Sequence, residues 1–118
     1  MADSSDADAV EQAKARITQI APREAMLDAG PDVLFLDVRE PMEWNLAHLP
    51  NAIHIPLGNL AEKVEGLIPR EKKVVAYCAR GNRSALAADI MQQMGYTKVA
   101  SMSEGIRGWV DSGGQIES

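Results

Sequence analysis

The 118 residues include 17 acidic and 12 basic side chains, a formal charge of −5, with 46% hydrophobic and 25% charged residues. This balance suits one ordinary globular domain and excludes both a basic nucleic-acid binder and a chain too polar to bury a core. No apolar run approaches the roughly 18 residues of a membrane-spanning helix, and the acidic start, MADSSDADAVEQ, is unlike a secretion signal. The expected setting is cytoplasmic, with neither nucleic acid nor membrane as partner.

Charge is uneven along the chain. Asp3, Asp6, Asp8 and Glu11 make the leader acidic. Arg70, Lys72, Lys73, Arg80 and Arg83 face only Glu71 between positions 70 and 83, a cationic stretch around the only cysteine, Cys78. One cysteine permits no intrachain disulfide and no thiolate-rich metal site. His48 and His54 lie six apart, which fits no common ligand spacing, so neither metal nor cofactor is expected.

The first predicted element is a helix from about Asp6 to Ala15, capped by Ser4 or Ser5, with Lys14 and Arg16 near its carboxyl end and a thin apolar face. Ile17 to Ile20 reads as a short strand. Pro22 then opens a helix through Ala25, Met26 and Ala29, stopped by Gly30 and Pro31. Val33-Leu34-Phe35-Leu36 and Val74-Val75-Ala76-Tyr77 are continuous apolar runs, the pattern of strands buried on both faces. Between them come a β-branched stretch, Ala52 to Ile55, and a helix from about Gly58 to Gly66. After Asn82, Leu86, Ile90 and Met94 recur every fourth residue beside Ala87 and Met91, with Asp89, Gln92 and Gln93 on the opposite side and Gly95 as the stop. Methionines in this pattern are core. Lys98-Val99-Ala100 is the last strand. Strands alternating with helices imply an α/β fold with a mostly parallel sheet covered on both faces.

Cys78 falls at the carboxyl end of a buried strand and just before a helix, where open α/β sheets bind ligands. A loop wrapped over a helix start aims several N–H groups at one point and makes a nest for an anion. Gly81 permits a positive φ and Asn82 tolerates one. A free thiol has a pKa of ~8.5, and a depression of ~2 units needs ~2.7 kcal/mol. A helix dipole supplies only ~0.3–1 kcal/mol, so loop amides and an arginine must provide the rest. An inert buried cysteine is the competing reading. The strand-loop-helix position, Gly81 and the arginines favour a nucleophile.

The run Cys78-Ala79-Arg80-Gly81-Asn82-Arg83 resembles the active-site loop of rhodanese-like sulfurtransferases. Asp37-Val38-Arg39-Glu40-Pro41-Met42-Glu43-Trp44 with Ala47-His48-Leu49-Pro50-Asn51 is similar to the family's first signature, and Gly95-Tyr96 with Glu104-Gly105-Ile106 to Trp109 is similar to its last; the resemblance covers roughly residues 16 to 113. It implies a rhodanese-like five-stranded parallel sheet with helices on both faces, occupying 16–118 after an acidic, helical extension at 1–15. It further implies ping-pong transfer of a sulfane sulfur from a small anionic donor such as thiosulfate, through a Cys78 persulfide, to a thiol or protein acceptor.

On this reading Cys78 is catalytic. Ala79, Arg80, Gly81, Asn82, Arg83 and Ser84 supply loop amides and anion contacts, with Arg80 on the donor's oxyanion. Arg83 points either to the anion or, preferably, to a carboxylate such as Asp37 or Glu43. Asp37 is expected to orient the loop, Arg39 to pair with Glu43, and His48 to bond to backbone, with a role as a base left open. Trp44 and Trp109 are core or pocket wall. Ala47, Asn51 and Glu104 stand where glycine is usual; Asn51 can keep a left-handed turn, whereas Ala47 and Glu104 face a conformational cost if one is required there. Glu104, partly offset by Arg107, also places negative charge near the pocket. Two rivals remain. One is a persulfide carrier serving a protein partner; the other is a phosphatase or arsenate reductase, whose loops carry one more residue between cysteine and arginine than the four separating Cys78 from Arg83.

Overall fold

A computed structural model describes residues 2–118, with side chains described from Ala7 onward. Among these residues five parallel strands form one sheet: β1 (Thr18–Ile20), β2 (Val33–Asp37), β3 (Ile53–His54), β4 (Lys73–Tyr77) and β5 (Val99–Met102), in the spatial order β1-β5-β4-β2-β3. The helices are α1 (Ala2–Arg16), α2 (Pro22–Asp28), α3 (Pro41–Leu46), α4 (Leu60–Leu67), α5 (Asn82–Gln93) and α6 (Gly105–Asp111). Parallel neighbours require crossovers, and the helices provide them.

The two apolar runs behave as central strands should, burying alternate residues against opposite layers. Leu36, Val38, Val74, Ala76 and Cys78 pack with Leu60 and Val64 of α4 and Ala87, Ala88 and Met91 of α5. Phe35, Val75 and Tyr77 pack on the other face with Ala25 of α2, Leu49 and Trp109 of α6. Because β4 lies in the middle of the sheet, the residue that follows it emerges between the two layers.

Several boundaries differ from the sequence reading. Helix α1 starts at Ala2, upstream of Ser4 and Ser5. The helix expected from Gly58 to Gly66 is a 3-10 turn at Leu57–Asn59 followed by α4. Helices α3 and α6, six and seven residues long, are too short to show a period and went unanticipated. Each of α2 and α3 opens on proline and is tied at its start by a glutamate: Ala21 N–H donates to Glu24 Oε1 (3.2 Å) and Glu40 N–H to Glu43 Oε1 (3.1 Å).

Asp89 does not face away from the core. It is buried under α1, which packs along α5, and it takes a two-point contact from Arg16, Nε to Oδ1 at 3.0 Å and Nη2 to Oδ2 at 2.6 Å. The deepest face of α5 runs through Ser84, Ala87, Ala88 and Met91, while Leu86, Ile90 and Met94 are half-buried, because two neighbours rather than one cover this helix.

Candidate active site

Strand β4 ends at Tyr77 and α5 begins at Asn82, so Cys78, Ala79, Arg80 and Gly81 must reverse direction within four residues. Gly81 makes the reversal with φ +97°, the left-handed region glycine enters without penalty. A Cβ there would lie 3.2 Å from the Glu104 nitrogen and 3.4 Å from the Met102 oxygen. Asn82, by contrast, does not use a positive φ and is simply the first residue of α5. Helix α6 holds the loop from the other side: Ile106 N–H donates to the Cys78 carbonyl (2.8 Å) and Arg107 N–H to that of Ala79 (3.3 Å). With its carbonyls drawn outward, the loop turns amides inward.

Those amides converge on sulfur. Gly81 N–H donates to Cys78 Sγ at 3.1 Å and Ser84 N–H at 3.4 Å, and the thiol lies 3.6 Å from the Ser84 hydroxyl. Cys78 is only 1% exposed. Burial alone pushes its thiol up; hydrogen bonds from the Ser84 N–H and hydroxyl and from the Arg80 and Gly81 N–H groups outweigh that, leaving the pKa below the ordinary thiol value. Ser84 Oγ is in turn 2.7 Å from Ser101 Oγ on β5. Ser101 escaped the sequence reading, although a serine inside the apolar run Val99-Ala100-Ser101-Met102 is the kind of buried polar residue that demands a partner.

The expected supporting residues redistribute. Arg83 turns to a carboxylate, donating to Glu43 Oε1 at 2.7 Å and Oε2 at 2.9 Å, and this guanidinium holds the Glu43 carboxyl down at about 2. Arg39 therefore does not pair with Glu43. It lies against Asp37, with Nε 3.0 Å from Oδ1 and Nη2 2.7 Å from Oδ2, and also donates to the Ala47 carbonyl at 2.6 Å. Asp37 is fully buried and also accepts the Arg39 N–H at 2.9 Å, so it orders the segment after β2 and makes no direct bond to the cysteine loop. The short spacing of 37 and 39 lets one carboxylate hold both backbone and side chain of the same arginine, a geometry unavailable to Glu43 on α3.

His48 Nδ1 is 2.9 Å from the Trp44 carbonyl, and its ring stacks on Trp44 with centroids 3.6 Å apart; His54 stacks on the same indole at 5.0 Å. His48 thus bonds to backbone, and both histidines are bound into an aromatic stack. Trp109 is core, set edge-on to Phe35, its Nε1 donating to the Gln115 carbonyl. Of the three missing glycines, Asn51 (φ +62°) and Glu104 (φ +64°) do adopt the left-handed region, whereas Ala47 is extended at φ −171°. Arg80 and Arg107 are exposed and have no ion-pair partner among the described residues, and Asn82 accepts from Lys14 Nζ of α1 at 3.1 Å.

A parallel α/β sheet whose central strand delivers a thiol into a ring of amides at a helix start defines a class of α/β proteins with a cysteine loop built to favour negative charge at sulfur. Residues 23–112 match the Rhodanese-like domain family, and the chain belongs to it. It is 36% identical over 106 residues to a Mycobacterium tuberculosis protein named a probable adenylyltransferase/sulfurtransferase, MoeZ, covering 86% of this chain and 26% of MoeZ. It is 35% identical over 83 residues to YrkF of Bacillus subtilis, named as a candidate sulfur carrier protein, covering 70% of this chain and 44% of that one. The chain therefore spans less than half the length of these curated relatives. Among solved structures, a Rhodopseudomonas palustris protein of unknown function, described as a possible tyrosine phosphatase, superposes with a TM-score of 0.82 at 32% identity, covering 92% of this chain and 91% of that one. A rhodanese-related protein from Thermoplasma volcanium superposes with a TM-score of 0.78, also at 32% identity, covering 85% and 97%.

Proposed function

We propose that this protein is a sulfurtransferase that moves a sulfane sulfur from a small anionic donor, such as thiosulfate, to a thiophilic acceptor through a Cys78 persulfide. One observation carries the reading: the Gly81 and Ser84 amides converge on Sγ at 3.1 and 3.4 Å. The thiolate attacks the outer sulfur of thiosulfate, a new S–S bond forms, and the donor's S–S bond breaks with its electron pair leaving on sulfite. An acceptor thiolate or cyanide then attacks the terminal sulfur, and Cys78 departs as thiolate, again held by the same amides. Arg80, exposed beside the loop, is the residue available to the donor's oxyanion. The acidic segment 1–15 is in this reading an extension to the domain at 16–118.

Phosphatase chemistry on the same fold is opposed by Arg83. A phosphate would need that guanidinium, which is occupied at both terminal nitrogens by Glu43. A dedicated persulfide carrier is the second reading, favoured by the likeness to YrkF. Incubation with thiosulfate followed by intact-mass measurement tests both. A gain of one sulfur, absent in Cys78→Ala, with turnover to cyanide supports the enzyme; loading without turnover supports the carrier. No loading, or full sulfurtransferase activity in Cys78→Ala, overturns both.

A further inference from the structure

We propose that Ser101 is a positioning residue for Cys78, acting through Ser84: the two hydroxyls form a buried relay whose hydrogen-bond direction reverses when the thiol ionises. The consequence for turnover rests on the sulfur-transfer reading, but the relay itself concerns only the thiol.

The geometry is a chain of three polar atoms. Cys78 Sγ is 3.6 Å from Ser84 Oγ, which is 2.7 Å from Ser101 Oγ, and neither serine has any exposed surface. Ser101 comes from β5, paired with Ala76 of β4, so the relay joins the first turn of α5 to the strand beside the one that carries the cysteine. That face of the sheet is otherwise built of Val74, Ala76 and Val99. A hydroxyl there loses its water and is kept only by a protein partner.

Each hydroxyl carries one hydrogen and can accept as well as donate. With the thiol protonated, S–H donates to Ser84 Oγ, and the Ser84 hydrogen is free to point at Ser101. When the proton leaves to solvent, Ser84 rotates to donate to S⁻, and Ser101 rotates to donate to Ser84. No proton passes between the serines; each keeps its own. A thiol is a weak donor and a thiolate a charged acceptor, so the chain strengthens the ionised arrangement more than the neutral one. A hydroxyl that accepts a hydrogen bond is also the better donor. Around the loop, the charged groups include Arg80, Arg83 with its partner Glu43, Glu40 before α3, Lys14 of α1 bonded to Asn82, Glu104 and Arg107, and substitutions at the serines leave all of them in place.

The test is a four-protein cycle: the unchanged chain, Ser101→Ala, Ser84→Ala and the double variant. The Cys78 pKa is read in each from the pH dependence of iodoacetamide alkylation and from thiolate ultraviolet absorbance. Alanine removes only an oxygen, and thermal midpoints report any loss of packing. Ser101→Ala is expected to raise the thiol pKa by roughly half a pH unit, and to add nothing once Ser84 is alanine. An unmoved pKa, or the same shift with and without Ser84, overturns the relay. Neither readout uses a sulfur donor, so a chain that shows the shift but takes no sulfur from thiosulfate contradicts the proposed function and leaves the relay standing.

Discussion

Arg83 grips Glu43 with both terminal nitrogens, at 2.7 and 2.9 Å, and so fastens the first turn of α5, which supplies the Ser84 amide to the sulfur, to α3. Through this pair the guanidinium braces the loop from the α3 side. Glu43→Gln, which leaves Arg83 in place without its ionic partner, is expected to loosen the loop and lower the rate of sulfur uptake more than the thermal midpoint. Steady-state kinetics and thermal melts of this variant, side by side, check it.

The same pair sets an acid limit. Glu43 titrates at about 2 in the folded chain against an ordinary 4.5, so its contribution is fully present above about 4.5 and is lost as pH falls toward about 2. The thermal-midpoint difference between the unchanged chain and Glu43→Gln is therefore expected to shrink steadily across that window. A difference that grows on acidification contradicts the assignment.

Arg39 and Asp37 form a pair of another kind, with side chains 7% and 0% exposed. Removing one partner strands the other charge where water cannot reach it. Arg39→Ala is expected to destabilise the fold by about 3–5 kcal/mol, measured by urea unfolding, and to do so with Cys78 present or replaced.

Much of this architecture was legible in the residues. The runs at 33–36 and 74–77 declare two-sided burial, and Cys78 at the end of one of them, with Gly81 three residues on, marks the site. What escaped had physical causes. Helices α3 and α6 hold fewer than two full turns each, so no period accumulates. Arg39 chose Asp37 over Glu43 because a buried, unpaired Asp37 carboxylate is costlier than a half-exposed glutamate. Ser101 reaches the site across the sheet from β5, a neighbour relation that only topology reveals.

Gly105 sits at φ +57°, and a Cβ on it would collide with the Cys78 and Ala79 carbonyls that α6 holds. Gly105→Ala must push the loop away from α6 and swing its amides off the sulfur. Displacements of this size cost roughly a hundredfold in rate, and that loss of sulfur transfer is expected with a folded protein by circular dichroism. Full activity in Gly105→Ala removes the carbonyl clamp from the account.

Arg80 is exposed, so on the proposed reading any pull it exerts on an anionic donor is screened by water. Arg80→Ala is expected to raise KM for thiosulfate by about fivefold or less, with kcat little changed and the effect fading as salt is added. Initial rates at two ionic strengths decide it.

The most direct measurement is the pKa of Cys78 in the intact chain, followed by thiolate absorbance. Converging N–H dipoles require it to fall below the ordinary value of a free thiol despite burial. A value at or above that of a free cysteine means burial has won, which contradicts the converging amides as the device that activates the thiol.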